Sequence, residues 1–470
     1  MKRSNPWLRL LAAVPLLLGT AGFLLAGTPI LDAVFRTVTM YAVNYSDSPP
    51  NALAELARWT APLATAGGVL AAASSLRRRV LSRRRARRGD SVAVFGDDGT
   101  VRQAMEILGA RGVSLRDGFL NARRYLLLGS ESENIAFYRA HADEIGDRPV
   151  YLRSESLSLQ TVARENLHPF SPEENAARLF WRDRNVYSLW KRAQAPMRIV
   201  LLGFGRLGEA LVFHGLQMNL FAADQQIEYH VFGDCAEFLA EHPYLHMLTD
   251  RVIAHAEPWY DALPLLDQAE LVLLCEQTGQ IALARKLLAV TVRPETDVFL
   301  AGDDGITLLE ARSRLRCFDW LHLAMAPEVL FDDALCSRAK AINLRYAHLY
   351  GGVEETPEQR ERQWRRLDAF TRGSNVSAAD YQSIRFSMLR DDGLPTQTEA
   401  LSPEQLERLA VLEHVRWCRW HWLNNWRYGE PEGGVKDASL RIHRLLVPYA
   451  ALSEAEKEKD RENIRVMMHL

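Results

Sequence analysis

The chain has 470 residues, with 57 Lys and Arg against 59 Asp and Glu, a net charge of −2 and five cysteines. That balance argues against nucleic acid as a partner, since such proteins carry a strong basic footprint, and single cysteines without metal-ligand spacing exclude a disulfide framework or a zinc motif. The length leaves room for two or three globular domains.

No charged residue falls between Leu10 and Leu31 or between Trp59 and Leu76. At 1.5 Å per residue each run is about long enough to cross a hydrocarbon core of roughly 30 Å. Lys2, Arg3 and Arg9 precede the first run, and Arg77, Arg78, Arg79, Arg83, Arg84, Arg85, Arg87 and Arg88 follow the second. The positive-inside rule then predicts a multi-pass protein of a bacterial inner membrane with both termini cytoplasmic, its basic block meeting anionic membrane lipid. A cleaved signal peptide over Met1–Gly27 is the rival reading, but no small-x-small cleavage site follows the apolar run.

The segment between the runs begins PILDAVFRTVTMYAVNY, apolar enough to dip back into a bilayer. The stretch AVNYSDSPP, from Ala42 to Pro50, resembles the filter of two-helix potassium channels, TVGYGD, and makes Val43, Asn44, Tyr45, Ser46 and Asp47 the pore candidates. Asn44 and Ser46 replace the filter glycines, which speaks against strict potassium selectivity. A re-entrant segment needs surrounding protein, so the resemblance implies a homo-oligomer, as a tetramer; the plain alternative is a loop between two anchor helices.

Ser91 to Phe95 reads as a strand running into GDDGTVRQAMEILG, a worn copy of a glycine-rich strand-turn-helix. Tyr125 to Leu128 and Val150 to Leu152 continue the α/β pattern, and Ser171 to Trp190 forms a helical bridge with a capped start. The better copy follows. Ile199 to Leu202 is a strand, and GFGRLGEALVFHGLQ places Gly203, Gly205 and Gly208 at the three fingerprint positions, with Phe204, Arg206 and Leu207 between them. Gly203 permits the tight turn, Gly205 lets amides approach a pyrophosphate, and Gly208 allows close helix packing. The strand Ile227 to Phe232 leads to Asp234, placed for ribose hydroxyls. Strands at Leu271 to Leu274 and Val298 to Leu300 put Cys275, Glu276, Gln277 and Thr278, and Gly302, Asp303 and Asp304, on the ligand side of a doubly wound sheet. The expected ligand is a nucleotide such as NAD(H) or another adenine nucleotide. This arrangement resembles the regulator-of-potassium-conductance (RCK) or TrkA-N family over Ser91 to Tyr350, which implies nucleotide binding and ring assembly; Gly203, Gly205, Gly208 and Asp234 are the positions carried over.

Near the C-terminus four tryptophans crowd into ten residues, Trp417, Trp420, Trp422 and Trp426. Ser402-Pro403-Glu404-Gln405 is a capped helix start, and helical spacing puts Glu413, Trp417, Trp420 and His421 on one face. The ordered set LEHVRW, NWRYG, KD, H, LVPY and EKEKD resembles the ryanodine receptor repeat, the RyR domain, over Leu406 to Val466. In bacteria that resemblance implies a small-ligand sensor. Aromatic faces beside Arg416, Arg427, Lys436 and His443 can stack a base and hold phosphate, which gives Glu413, Arg416, Trp417, Trp426, Tyr428, Lys436, Asp437, His443 and Tyr449 as ligand candidates. The alternative is that these tryptophans are helix core and that Glu413 and Arg416 form a buried structural pair.

The expected fold is thus an α-helical transmembrane hairpin with a re-entrant pore segment over 1–89, a degenerate Rossmann-like unit and helical bridge over 90–195, an α/β Rossmann-like (RCK) region over 196–350 and a small all-α RyR domain over 351–470. The expected function is a ligand-gated channel in which nucleotide sensing controls a pore. No catalytic constellation is legible; a membrane-anchored NAD(P)-dependent oxidoreductase and a pore-less nucleotide sensor or defence effector are the alternatives.

Overall fold

The computed structural model describes residues 6–45, 47–154, 166–184, 186–193, 196–275, 280–290, 293, 295–302 and 315–469. The chain divides into two compact units, Met1–Ala93 with Val113–Arg123, and Val94–Gly112 with Arg124–Leu470.

Three helices, Pro6–Leu25, Ile30–Tyr41 and Ala52–Ala86, make up most of the first unit. Small residues set how closely they approach: a Cβ on Gly19 would collide with the Thr37 side chain, and one on Gly22 would lie 2.7 Å from the Ala54 nitrogen. Phe23, Ala33, Met40, Ala54, Ala57 and Ala61 form their shared core. Asn51 ties the bundle, its carbonyl accepting the Ala54 amide at 3.1 Å to cap the third helix while its amide donates to the Gly22 carbonyl at 2.6 Å.

This arrangement overturns the membrane reading. Among the described residues no helix is long and apolar enough to cross a membrane. The run from Leu10 to Leu31, read as one span, is broken after Leu25, where the amides of Ala26, Gly27 and Thr28 turn back onto the carbonyls of Phe23 and Leu24. What remains uncharged in the first helix is about 24 Å long at 1.5 Å per residue, short of a hydrocarbon core of about 30 Å. The Trp59 to Leu76 run lies within the Ala52–Ala86 helix, but alanine, glycine, serine and threonine dominate it, and these transfer far less favourably into hydrocarbon than leucine or phenylalanine. The pore segment is corrected with it. Ala42, Val43 and Asn44 donate their amides to the carbonyls of Thr39 and Met40, so they close the Ile30–Tyr41 helix, and Val43 takes the left-handed backbone at φ 57°. Tyr45 sets its ring edge against Phe23 at 5.7 Å. Asp47 lies in the short link before Asn51; Ser46 lies outside the described residues. The inner-membrane location, the cytoplasmic termini and the ion-channel reading rested on those spans and fall with them, and the tetramer loses the water path that argued for it.

The second unit is built on two parallel sheets. Strands β1 (Val92–Phe95) and β2 (Gly112–Ser114) fall where the chain passes between the two units; in the first sheet of the second unit, β3 (Arg124–Leu127), β4 (Val150–Arg153) and β5 (Leu167–Phe170) pair in parallel, with Tyr125 opposite Val150 and Tyr151 opposite His168. The second contains β6 (Met197–Leu202), β7 (Ile227–Phe232), β8 (Arg251–Ala254), β9 (Leu271–Leu274), β10 (Asp297–Ala301) and β11 (Leu315–Phe318), in the order β11-β10-β9-β6-β7-β8. All its pairings are parallel. This is the doubly wound dinucleotide-binding order, reversing between β6 and β9. Period-two alternation divides the strand β6 between two cores: Ile199 and Leu201 face one with Phe180, Trp181, Leu211 and Tyr381, while Val200 and Leu202 face another with Leu266, Leu287 and Leu300.

The first of those cores extends into the C-terminal helices, through Tyr381, Ile384 and Met388 of the Ala369–Asp391 helix and Leu412 and Leu423 of the Pro403–Leu423 helix. Buried polar groups register that contact. Arg419, 1% exposed, donates to the Asp250 carboxylate at 2.6 Å and to the Leu216 carbonyl at 2.8 Å. Asp250 also accepts the Ile227 amide at 2.8 Å and the Gln225 side chain at 3.0 Å, so one carboxylate gathers the starts of β7 and β8 and a C-terminal helix. Tyr381 donates to the Leu220 carbonyl at 2.7 Å. Arg178 reaches Asp380 at 2.6 and 3.0 Å and the Leu335 carbonyl at 2.6 Å.

Removing one member of such a pair leaves a buried charge uncompensated. Arg419→Ala is expected to cost about 3–5 kcal/mol, and Arg419→Ala with Asp250→Ala less than the sum of the two single changes. Denaturant unfolding measures both; a cost below about 1 kcal/mol for Arg419→Ala would show that the pair does not fasten the helix to the sheet.

Candidate ligand site

Gly203 and Gly205 hold positive φ, 83° and 51°, the left-handed turn that leads from β6 into the Gly205–Met218 helix. Phe204 precedes that helix without offering a side-chain cap and is itself buried, its ring 5.7 Å from Phe238. Gly233 lets the end of β7 press on the loop, since a Cβ there would lie 2.9 Å from the Phe204 nitrogen. A Cβ on Gly208 would lie 3.1 Å from the Phe204 ring, so this glycine accommodates the loop's own aromatic residue. Leu207 is core; Arg206 is exposed. Asp234 is exposed just past β7, where its carboxylate accepts the Ala236 amide at 3.2 Å. Glu276, Gln277, Thr278, Asp303 and Asp304 lie outside the described residues.

The worn first copy differs in electrostatics. A cavity of about 570 Å³ lies against Gly96, Asp97, Ser130, Glu131, Glu133 and Arg153. Its two helix starts are already occupied by their own side chains. Asp97 accepts the amides of Gly99 and Thr100, the Thr100 hydroxyl holding its carboxyl below the usual range, and Ser130 with Glu133 forms a capping box. Carboxylates therefore sit where an anion would bind.

The C-terminal module brings a different set together. The Pro403–Leu423 helix opens with a Ser402–Gln405 capping box and carries Glu413 and Arg416, which are 2% and 3% exposed. Arg416 Nη2 meets Glu413 at 2.6 Å, Arg385 meets the other carboxylate oxygen at 2.8 Å, and Arg416 Nη1 donates to Ser377 at 3.2 Å. Burial alone would raise the Glu413 carboxyl, but Arg416 and Arg385 outweigh it and hold the group below its ordinary range. Beside this triad opens a cavity of about 410 Å³, within the range of small-ligand sites, lined by Glu413, Arg416 and Trp417 and by Tyr346, Tyr350, Asn375, Lys459 and Asn463. Tyr346 and Tyr350 stack at 6.2 Å. The last five residues were not among the ligand candidates, although Lys459 lies in the EKEKD run: Tyr346 with Tyr350, and Lys459 with Asn463, are spaced one helical turn apart, a pattern shared by any solvated helix face.

The other candidates disperse. Trp426 packs on Phe370 at 5.0 Å and belongs with Cys418 and Leu446 to a small apolar cluster. His443 sits edge-on to Trp417 at 4.8 Å, and His421 lies 3.9 Å from the Trp417 ring. A three-stranded sheet, absent from the all-α expectation, joins β12 (Arg427–Tyr428), β13 (Lys436–Asp437) and β14 (Ile442–His443) in the order β12-β14-β13. Tyr428 and Lys436 are exposed on it, and Asp437 caps its own turn through the Ser439 and Leu440 amides. Tyr449 sets its ring 5.9 Å from His414. Trp420 explains the glycine at 373 in the Ala369–Asp391 helix, since a Cβ on Gly373 would collide with its indole.

Residues 394–470 match the RyR domain family. No curated protein matches the chain.

The histidines around Trp417 give the module a sign for its acid response. Burial pushes His421 down to about 3 and His443 to about 4, so each is neutral when folded and takes a proton on unfolding below about 6.5. Their contribution is complete above that pH and is lost as pH falls toward 4, at about 1.4 kcal/mol per pH unit for each histidine. His414 runs the other way: burial opposes its charge, but Asp460 at 3.4 Å prevails and raises it to about 10, so its contribution is complete below about 6.5 and is lost as pH rises through 10. Urea midpoints across pH 4 to 10 should therefore peak near 6.5; a flat acid limb would place the two neutral histidines in water.

Proposed function

We propose that this chain is a sensor of a nucleotide-class small molecule, bound in the cavity beside Arg416 and Trp417. The observation that carries the reading is the composition of that cavity, where RyR-matching residues meet two of the helices that precede them: the ring of Trp417, the amide of Asn463 and the ammonium of Lys459 come from the matched region, and the rings of Tyr346 and Tyr350 and the amide of Asn375 from outside it. Aromatic faces take a base, amides suit its edges, and a lysine suits phosphate as a point charge. Arg416 is already committed to Glu413 and Ser377, so its role is to hold the helix turn that presents Trp417. Arg419 follows on the same helix and is fixed to Asp250 under the doubly wound sheet, which gives ligand occupancy a rigid route to the glycine loop.

That loop is the second element of the reading. The sheet order, the strand and helix on the correct sides of Gly203 to Gly208, and Asp234 at the end of β7 support a dinucleotide there, as the TrkA-N resemblance implies. The same sheet order favours the alternative of a nicotinamide-dependent oxidoreductase, which predicts substrate-dependent hydride transfer in addition to binding.

Calorimetry on the whole chain with ADP and with NAD separates these parts. Lys459→Ala should weaken ADP about tenfold while moving stability by no more than a few tenths of a kcal/mol, as exposed substitutions do. Gly205→Asp should abolish NAD binding by placing a carboxylate at the helix start, while Gly205→Asn, which adopts the same left-handed backbone without charge, should retain part of it. Unchanged affinities in both Lys459→Ala and Gly205→Asp would refute the assignment.

A further inference from the structure

Outside the RyR-matching residues the second unit holds a larger cleft, of about 700 Å³. One wall is aromatic. Tyr151 of β4 and His168 of β5 lie opposite each other in register and stack at 4.9 Å with 20° between their planes, and Phe331 meets Tyr151 edge-on at 4.8 Å. Burial keeps His168 below its ordinary range, so the ring is a neutral platform.

A second group of its lining residues is basic. Arg360 and Trp364 come from the Pro357–Arg366 helix and Arg372 from the Ala369–Asp391 helix. Arg372 lies 5.6 Å over the Trp364 ring and donates to the Trp364 and Leu367 carbonyls at 3.3 and 3.1 Å. The Nε donors of both Arg360 and Arg372 are buried without an acceptor. Such donors are costly to leave unmade, and two of them on side chains that line the cleft call for an acceptor-rich anion. Lys340 does not compete for it, being held by Asp333 and by Glu361 at 2.8 Å. Asp332 and Glu174 also line the cleft; they suit hydroxyls or an exocyclic amine and make a bare polyphosphate a poor fit.

We propose that this cleft is a nucleotide site distinct from the module cavity, with the base against Tyr151, His168 and Phe331 and the phosphates on Arg360 and Arg372. Its volume lies within the range of small-ligand sites. Sensing in the RyR-matching module does not depend on it, nor it on that sensing.

The test uses the full chain carrying Lys459→Ala and Gly205→Asp, which weakens ADP at the module cavity and blocks the glycine loop, with ADP and adenosine as probes. ADP should still bind by calorimetry, and adenosine, lacking phosphate, at least tenfold more weakly. Adding Arg360→Gln should weaken ADP at least tenfold with an unchanged unfolding midpoint, and Arg360→Lys should restore part of the loss. Should Arg360→Gln fail to fold, hydrogen exchange on the Lys459→Ala, Gly205→Asp chain decides, with ADP protecting residues 327–340 and 357–372. Absence of saturable ADP binding, an affinity indifferent to Arg360→Gln, or protection confined to other segments would overturn the proposal.

Discussion

The carboxylate of Asp250 accepts from Arg419, from Gln225 and from the Ile227 amide at once. A buried ionised carboxyl is tolerable only when its lone pairs are filled, so the two segments that fill them must arrive together at the start of β8. One of these segments begins β7 and the other is the helix that carries the tryptophans. The apolar core beneath is continuous across the same boundary, and Arg178 with Asp380 makes a second lock of the same kind. Sheet and C-terminal helices are therefore one body, and the cavity beside Trp417 inherits the rigidity of the sheet.

The proposed sensor reading draws on that rigidity. Trp417 and Arg419 share one helix, the first lining a cavity and the second bound to the sheet. Glu413, clamped by Arg416 and Arg385, fixes the turn between cavity and lock. Coupling of this kind needs differential contacts in two states, and the helix supplies one element on which both ends act.

Much of the doubly wound sheet was readable because its physics is local. The apolar run Ile199–Leu202 and the glycines at Gly203 and Gly205, both left-handed in the fold, declare a strand, a turn and a helix start. The tryptophan module was readable as a helical motif, but its chemistry was not. Glu413 and Arg416 are three apart and visible as a pair, whereas Arg385 comes from another helix, and the residues that complete the cavity, Tyr346, Lys459 and Asn463, come from two more. The N-terminal reading failed for a definable reason. Freedom from charge is not length: the turn at Ala26 to Thr28 ends the first helix inside the run that looked like a span, and glycines chosen for helix crossing at Gly19 and Gly22 resemble apolar filler when only charge is counted.

The claim that sheet and C-terminal module form one cooperative body is met most directly by native-state hydrogen exchange. Amides of β6 and β7 and of the Ala369–Asp391 and Pro403–Leu423 helices should open together, with one shared free energy and one shared denaturant dependence. Exchange of residues 394–470 at a distinctly lower free energy, while the sheet stays protected, would contradict it and make the module a separately folding appendage.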